Sequence, residues 1–429
     1  MGIAETLDYI HNVKWQGSKP GLERTSELLT ALSNPESLLK FVHIAGTNGK
    51  GSTAAMIASI LQEAGYRTGL YISPYVTCFN ERIQINGVYI SDDELEGLTN
   101  DIRPFADAMN DPPTEFEMIT ALALKYFAQK KCDIVVLEVG LGGKLDSTNV
   151  IDTPEVAVIT SIGFDHANVL GHTLHDIAVA KAGIIKNGGD VVFYGGETEV
   201  ETVFENASKD CGARLHRVDF SRISQQVFSL GGVSMEFRPY GEIAIALTGA
   251  YQLKNAAVAI TALEILRKKG YSISATDIVN GLACVRWQGR FELIGHDPVF
   301  ILDGAHNPQG VKATADSLRS LFGERKVIFI VGVMADKDVD SMMGIIAPLA
   351  ESFIAVRPKS PRAMDAQTLA KRLLRYGVPV YVCKTIDDGV SMAMRKAGKD
   401  AIICALGSLY FSAEIRAAYN SLNSNNCIW

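Results

Sequence analysis

Ile134-Val135-Val136-Leu137 is apolar without a break, and it is one of a series of such runs along the chain. A strand with one face in water alternates apolar and polar residues. A run without alternation reads instead as a strand buried on both faces, hence as part of a mostly parallel sheet covered by helices. Strands are expected over 41–46, 68–72, 133–139, 155–161, 190–194, 299–303, 326–333, 352–357, 378–383 and 401–406. Helical patterns lie between them near 53–65, 92–108, 115–130, 174–185, 253–269, 308–322, 338–349, 365–376 and 410–419. Residues 215–247 depart from this. Alternating segments at Gln226–Phe237 and Glu242–Leu247, joined across Gly231-Gly232 and Pro239-Tyr240-Gly241, read as an antiparallel hairpin region.

At 429 residues the chain exceeds one ordinary core, so two domains are expected. The polar stretch Phe291–Pro298 reads as their boundary. The fold class is α/β: a P-loop-type, mostly parallel sheet domain with the antiparallel hairpin region over 1–295, then a smaller doubly wound α/β domain over 296–429. Open α/β sheets bind ligands at the carboxyl ends of their strands, which puts the chemistry in a cleft between the domains.

A net charge of −7 excludes a general nucleic-acid or anionic-membrane binder, since either needs a basic face. The 47% hydrophobic and 21% charged content is that of a globular chain. Cys78, Cys132, Cys211, Cys284, Cys383, Cys404 and Cys427 are scattered and never in C-x-x-C spacing, as reduced thiols are. With no long apolar run and no secretory leader, a cytoplasmic monomer without membrane contact is expected. Met1-Gly2 with Thr6 matches a loose myristoylation pattern that lacks a second anchor. The polar tail Asn420–Trp429 is expected to fray.

The strand run Phe41–Ala45 breaks at Gly46, and Thr47-Asn48-Gly49-Lys50-Gly51-Ser52-Thr53 leads into a helical pattern. Backbone N–H groups of such a turn, together with the positive end of the helix dipole, cradle phosphates. Lys50 reaches terminal phosphate oxygens, and Ser52 or Thr53 can hold Mg²⁺. Positive φ alone would account for the glycines, but not for a lysine at a helix mouth, where the dipole disfavours a cation. The spacing differs from the common G-x-x-x-x-G-K-[ST]: two residues separate the first glycines, and Gly51 divides lysine from hydroxyls.

Three polar residues end apolar strand patterns in the same domain: Ser73, Glu138 and His166. A hydroxyl, a carboxylate and an imidazole at one sheet edge could complete an Mg²⁺ site, although Mg²⁺ favours oxygen. Glu138 in so apolar a run needs a partner or a ligand, whereas His166 could simply cap a loop. His166, His172 and His175 fit no compact zinc motif. Gly140-Leu141-Gly142-Gly143 lacks the spaced third glycine of a dinucleotide fingerprint, and reads better as a loop giving substrate close access to backbone. Lys181 sits in an apolar helix end and, if buried, needs a partner or a chemical change. In the second domain Asp303 and His306 lie on the strand-turn-helix Ile301–Pro308. Gly332–Asp338 and Gly407–Tyr410 offer polar groups at the same edge.

Taken together, HIAGTNGKGS (43–52), Ser73-Pro74, Phe79–Ile83, Thr114–Glu117, EVGLGGKLDSTN (138–149), Asp165-His166, KAGIIK (181–186), DGAHNP (303–308) and GSLY (407–410) resemble the folylpolyglutamate synthases and bifunctional dihydrofolate synthases of the Mur ligase superfamily. The phrases occur in family order across nearly the whole chain. The resemblance implies that Thr47, Asn48, Gly49, Lys50, Gly51 and Ser52 hold ATP, with Asn255, Arg290 and Asp303 as further nucleotide contacts. It implies Mg²⁺ on Ser52, Ser73, Glu138 and His166, and a carbamate on Lys181 as an anionic metal ligand. His306 and Ser408 match positions near the incoming glutamate, so that Lys50, His306, Asp303 and Ser408 form the catalytic set.

The chemistry implied is ATP-dependent amide ligation. A reduced folate's carboxylate attacks the γ-phosphate to give an acyl phosphate and ADP; the amine of L-glutamate then displaces phosphate. Family members often carry arginine where Lys144 stands, and lysine lacks its bidentate fork. Dihydropteroate as a second acceptor is therefore left open. A cell-wall nucleotide peptide ligase is the alternative within the superfamily, and Phe79–Ile83 and DGAHNP favour the folate branch. A nucleotide switch would carry N-K-x-D, and no Asn-Lys pair occurs.

Overall fold

The computed structural model describes residues 2–12 and 20–426, the side chains of 423–426 excepted. By packing, the chain divides into two compact units: 1–222 with 238–240 and 254–285, and 223–237 with 241–253 and 286–429.

The first unit is built on a sheet of β1 (Phe41–Ala45), β2 (Thr68–Tyr71), β3 (Ile83–Ile85), β4 (Val88–Tyr89), β5 (Ile134–Glu138), β6 (Val156–Ile159), β7 (Asp190–Phe193) and β8 (Arg214–Arg217), in the order β4-β3-β2-β5-β1-β6-β7-β8. The six strands from β2 to β8 in that order are parallel, and β3 and β4 add an antiparallel edge. Every residue of β1 and β5 is buried, as their unbroken apolarity requires. One face packs Phe41, Val135 and Leu137 against Met118, Ile119 and Leu122 of the helix Glu115–Gln129. The other packs Ala45, Ala157 and Ile159 against Ala178 and Ala182 of the helix Leu174–Ala182.

The helix Lys50–Glu63 is buried nearly all round. It lies against the helix Ala275–Cys284, where Ser59 Oγ donates to the Gly281 carbonyl at 2.7 Å. Four α-helices among the described residues of this unit start in a capping box: Ser91 with Glu94, Thr114 with Glu117, Thr173 with Asp176, and Ser274 with Asp277. Glu117 also takes a bidentate pair from Arg24, at 3.0 and 2.7 Å, with both side chains buried.

The second unit carries an antiparallel sheet of β9 (Ile223–Ser229), β10 (Gly232–Phe237) and β11 (Gly241–Ile245). A further sheet joins β12 (Glu292–His296), β13 (Val299–Leu302), β14 (Val327–Val331), β15 (Ala350–Ala355), β16 (Val380–Val382) and β17 (Ile402–Leu406), in the order β12-β13-β17-β14-β15-β16. All pairs are parallel except β12 with β13.

Four expectations shift. The polar stretch Phe291–Pro298 is a hairpin of β12 and β13 rather than a linker, so residue 295 falls inside a sheet, and the compact units divide after Val285. Its polarity is that of an edge strand. Residues 215–217 belong to β8, the edge of the parallel sheet, and the antiparallel region begins at Ile223. The tail is helical through Asn426. Cys427–Trp429, and Met1 of the N-terminal pattern, lie outside the described residues. Among the described residues no helix is long and apolar enough to cross a membrane.

Candidate functional site

In the first unit the strand order reverses around β1: the chain leaves it for β2 on one side and reaches β6 on the other. The carboxyl ends of β1, β5 and β6 therefore form the switch point at which open α/β sheets take ligands. Register carries the sequence-predicted residues there. Ile44 pairs with Glu138 and Ala45 with Ile159, while Tyr71, two residues before Ser73, pairs with Leu137.

The loop after β1 is held by its neighbours rather than by itself. The Thr47 N–H donates to the Ser161 carbonyl (2.8 Å), Thr47 Oγ1 to the Gly163 carbonyl (3.0 Å), and Ser161 Oγ to the Asn48 carbonyl (3.2 Å). Gly46, at φ 148°, passes so close to Thr160 that a Cβ would stand 1.8 Å from its hydroxyl oxygen. Gly49, at φ 89°, faces Asn255, whose Oδ1 would lie 2.6 Å from a Cβ there. The tertiary fold thus brings Asn255 onto the loop. Such a cradle of glycine backbone at a helix start fits a phosphate chain, and any side chain would fill it.

Lys50 begins the helix and turns back, donating to the carbonyls of Gly46 (3.2 Å) and Thr47 (3.3 Å). Lys181, buried, donates to the same Gly46 carbonyl at 2.7 Å. Burial, and then the charge of Lys50, push the Lys181 amine down to about 7. Glu138 is buried at the end of β5 and accepts the Ser73 N–H at 3.2 Å. Ser52 is buried in the first turn of the helix. His166 begins a short helix in left-handed conformation (φ 51°), with its side chain part exposed and 3.9 Å from Asp165. Among the described residues no group of three or more His, Cys, Asp or Glu is placed to hold a metal. An ion at this edge would draw on hydroxyls and on Lys181 besides Glu138 and His166. The hard oxygen donors Glu138, Ser52 and Ser73 suit Mg²⁺.

The glycine loop 140–143 is closely packed. A Cβ on Gly143 would stand 2.9 Å from the Ala180 carbonyl, and one on Gly183 would stand 2.2 Å from Lys144 Cβ. These glycines let the loop lie against the helix that carries Lys181. Asp146, buried, holds the turn by accepting from the Leu141 N–H (2.8 Å), the Thr148 N–H (3.0 Å) and the Thr148 hydroxyl (2.5 Å). Thr148 in turn meets His43 Nε2 at 2.9 Å. Asp146 and His43 were not singled out from sequence; the available signal was an imidazole inside the apolar run Phe41–Ala45, and none marked Asp146 within its polar turn.

In the second unit β13, β17 and β14 are neighbours, so Asp303, Gly407 and Gly332 emerge side by side. Asp303 is buried; burial raises its pKa above the ordinary carboxylate value against the opposing pull of Thr314 and Arg290. Thr314 Oγ1 donates to it at 2.6 Å. Arg290 lies over Gly304, where a Cβ would meet its Nη1 at 2.6 Å. His306 Nδ1 stands 2.7 Å from the Gly304 carbonyl. Ser408 is buried, and its Oγ accepts the Tyr410 N–H at 3.1 Å. The structure therefore brings Arg290 against the turn that carries Asp303 and His306.

Known proteins share this fold. Residues 44–263 match the Mur ligase middle domain, and residues 289–409 the Mur ligase glutamate ligase domain. The chain is similar to the dihydrofolate synthase/folylpolyglutamate synthase of Bacillus subtilis, at 38% identity over 96% of this chain and 98% of that one. Among solved structures it is similar to Mycobacterium tuberculosis folylpolyglutamate synthase complexed with ADP and AMPPCP, with a TM-score of 0.89 and 30% identity over 98% of both chains. It is also similar to E. coli FolC in complex with DHPP and ADP, with a TM-score of 0.85 and 27% identity over 99% of both chains.

Proposed function

The chain belongs to the Mur ligase family, in its folylpolyglutamate synthase and dihydrofolate synthase branch, and from that premise we propose how its residues make an amide bond. It is an ATP-dependent ligase that extends a reduced folate with L-glutamate. The observation that carries the site reading is the glycine cradle at Gly46 and Gly49, with Lys50 at its helix start and Asn255 against it.

Thr47 to Ser52 hold the phosphates of ATP. Lys50 swings from the Gly46 and Thr47 carbonyls to the γ-phosphate and stabilises charge there as the phosphoryl group transfers. Asn255, Arg290 and Asp303 contact the nucleotide. Ser52, Ser73, Glu138 and His166 would hold Mg²⁺, which supplies further charge neutralisation at the transferring phosphoryl group. With its amine held near neutrality, Lys181 can take up CO₂ as a carbamate and become an anion.

The folate carboxylate oxygen bonds to the γ-phosphorus, the bond to the ADP oxygen breaks, and an acyl phosphate results. The glutamate amine then bonds to the acyl carbon, loses a proton, and inorganic phosphate leaves. His306 and Ser408 position the glutamate. The chain works as a monomer.

The test is ADP release from purified protein given ATP, Mg²⁺, tetrahydrofolate and L-glutamate. Release must depend on both acceptor and glutamate; equal release without glutamate would overturn the reading. Dihydropteroate in parallel asks whether this chain, like relatives named dihydrofolate synthase, extends that acceptor too.

A further inference from the structure

Phe79-Asn80-Glu81-Arg82 forms a single helical turn that the phosphate loop does not use. Glu81 is fully engaged: its carboxylate accepts the N–H groups of Val76 (2.8 Å), Thr77 (2.8 Å) and Cys78 (3.0 Å) and folds that segment onto itself. The Arg82 carbonyl accepts the Ile72 N–H at 3.0 Å, which places the residue beside Ser73.

The Arg82 side chain is unusual. An arginine near a surface normally buries its stem and leaves the guanidinium in water. Arg82 is only 8% exposed, and neither Nε nor Nη1 has a hydrogen-bond partner. Its guanidinium packs 5.1 Å from the Tyr75 ring centre and 5.7 Å from that of Phe79. Ring contacts recover only part of what a buried, unpaired cation loses in hydration. Glu115 does not supply the missing anion, because it pairs with His11 at 3.1 Å, and His11 stands edge-on to Phe79. A cation held dry, fork unfilled and beside the Ser73 strand end is prepared for an anion from outside the chain.

We propose that Arg82 anchors a carboxylate of the acceptor substrate other than the one that reacts. This rests on the ligase reading above. A folate ends in a glutamyl group with two carboxylates. One must reach the γ-phosphate; the other enters the site as an anion with no reaction to undergo, and a planar guanidinium fork matches it bidentately. Dihydropteroate carries only the reacting carboxylate, so it has nothing to offer Arg82. The residue thereby makes the site select glutamylated acceptors and fixes which carboxylate is left to react.

The experiment compares binding of tetrahydrofolate and dihydropteroate to the wild type, Arg82→Gln and Arg82→Lys by titration calorimetry, with the Michaelis constant for ATP alongside. Arg82→Gln is expected to weaken tetrahydrofolate by roughly 10–100-fold, the range for losing a charged hydrogen bond. Arg82→Lys, which keeps the charge and loses the fork, gives a smaller loss confined to the same ligand and guards against misfolding of the Gln variant. Dihydropteroate binding and the ATP constant stay unchanged. Tetrahydrofolate affinity that survives both substitutions, or a loss shared equally by dihydropteroate or ATP, overturns the proposal. Absence of glutamate-dependent ADP release from the wild type is a different result, and sinks the ligase reading itself.

Discussion

Lys50 and Lys181 aim at one acceptor: both ammonium groups donate to the Gly46 carbonyl, at 3.2 and 2.7 Å. Lys181 is buried, and the charge of Lys50 on the same oxygen repels it, which is why its pKa falls to about 7. Under the proposed function the conflict would resolve if Lys50 moved to a phosphate or Lys181 gained a carboxyl group.

In the proposed mechanism, Lys50→Ala removes the charge that stabilises the transferring phosphoryl group. Glutamate-dependent ADP release should fall by roughly 10²–10³-fold, as for the loss of one preorganised donor. The melting temperature should hold, because the side chain bonds only two loop carbonyls. Activity that persists would undo the assignment of this loop.

His43 sits wholly inside β1, and burial, with a smaller push from the charge of Lys186, lowers its pKa from 6.5 to about 3. The unfolded chain binds this proton below about 6.5 and the folded one does not until near 3. Stability is therefore complete above 6.5 and is lost on acidification, by up to ~1.4 kcal/mol per pH unit from this group. Urea midpoints of His43→Gln between pH 7 and 4.5 should fall less steeply than those of the wild type. Parallel slopes would show that His43 does not govern acid sensitivity.

Arg24 and Glu117 pair with side-chain exposures of 7% and 4%. Glu117→Leu alone should cost about 3–5 kcal/mol, since it takes the bidentate partner from a buried guanidinium, leaving Asp111 at 3.5 Å, and removes a capping residue. Arg24→Met combined with Glu117→Leu should recover most of that loss, because apolar residues can replace a buried pair. Denaturant unfolding of both variants checks this; a double variant no more stable than the single one would count against it.

A Cβ at Gly281 would lie 2.5 Å from Ile60 Cα, a backbone atom that cannot rotate away. Gly281→Ala gains about 1 kcal/mol in helix propensity. Forcing the helices apart costs about 1–3 kcal/mol, so a net loss is expected. Gly281→Val should lose more. If thermal unfolding instead shows Gly281→Ala to be stabilised, the packing of these two helices is looser than the distance implies.

Legibility followed burial. β1, β5, β6, β14 and β17 were readable because a strand buried on both faces is written as unbroken apolarity. β8 was not, because Arg-Leu-His-Arg is an edge strand whose Arg214 and His216 gather on Asp190 of β7. β3 and β4 are too short to show a period. The loop Gly46–Thr53 reads as a phosphate loop from its own residues, whereas the packing of loop 140–143 was not legible. Gly143 answers to the packing of the helix Leu174–Ala182, which no local pattern reveals.

By itself the sequence determined the α/β class and the family, because both are written in contiguous residues. Only the tertiary structure decided that Asn255 meets Gly49, that Lys181 competes with Lys50 for one carbonyl, and that Arg82 Nε and Nη1 are buried without a hydrogen-bond partner. Those are properties of pairs brought together by sheet order and of hydration lost on packing. Neither has a value until the chain has folded.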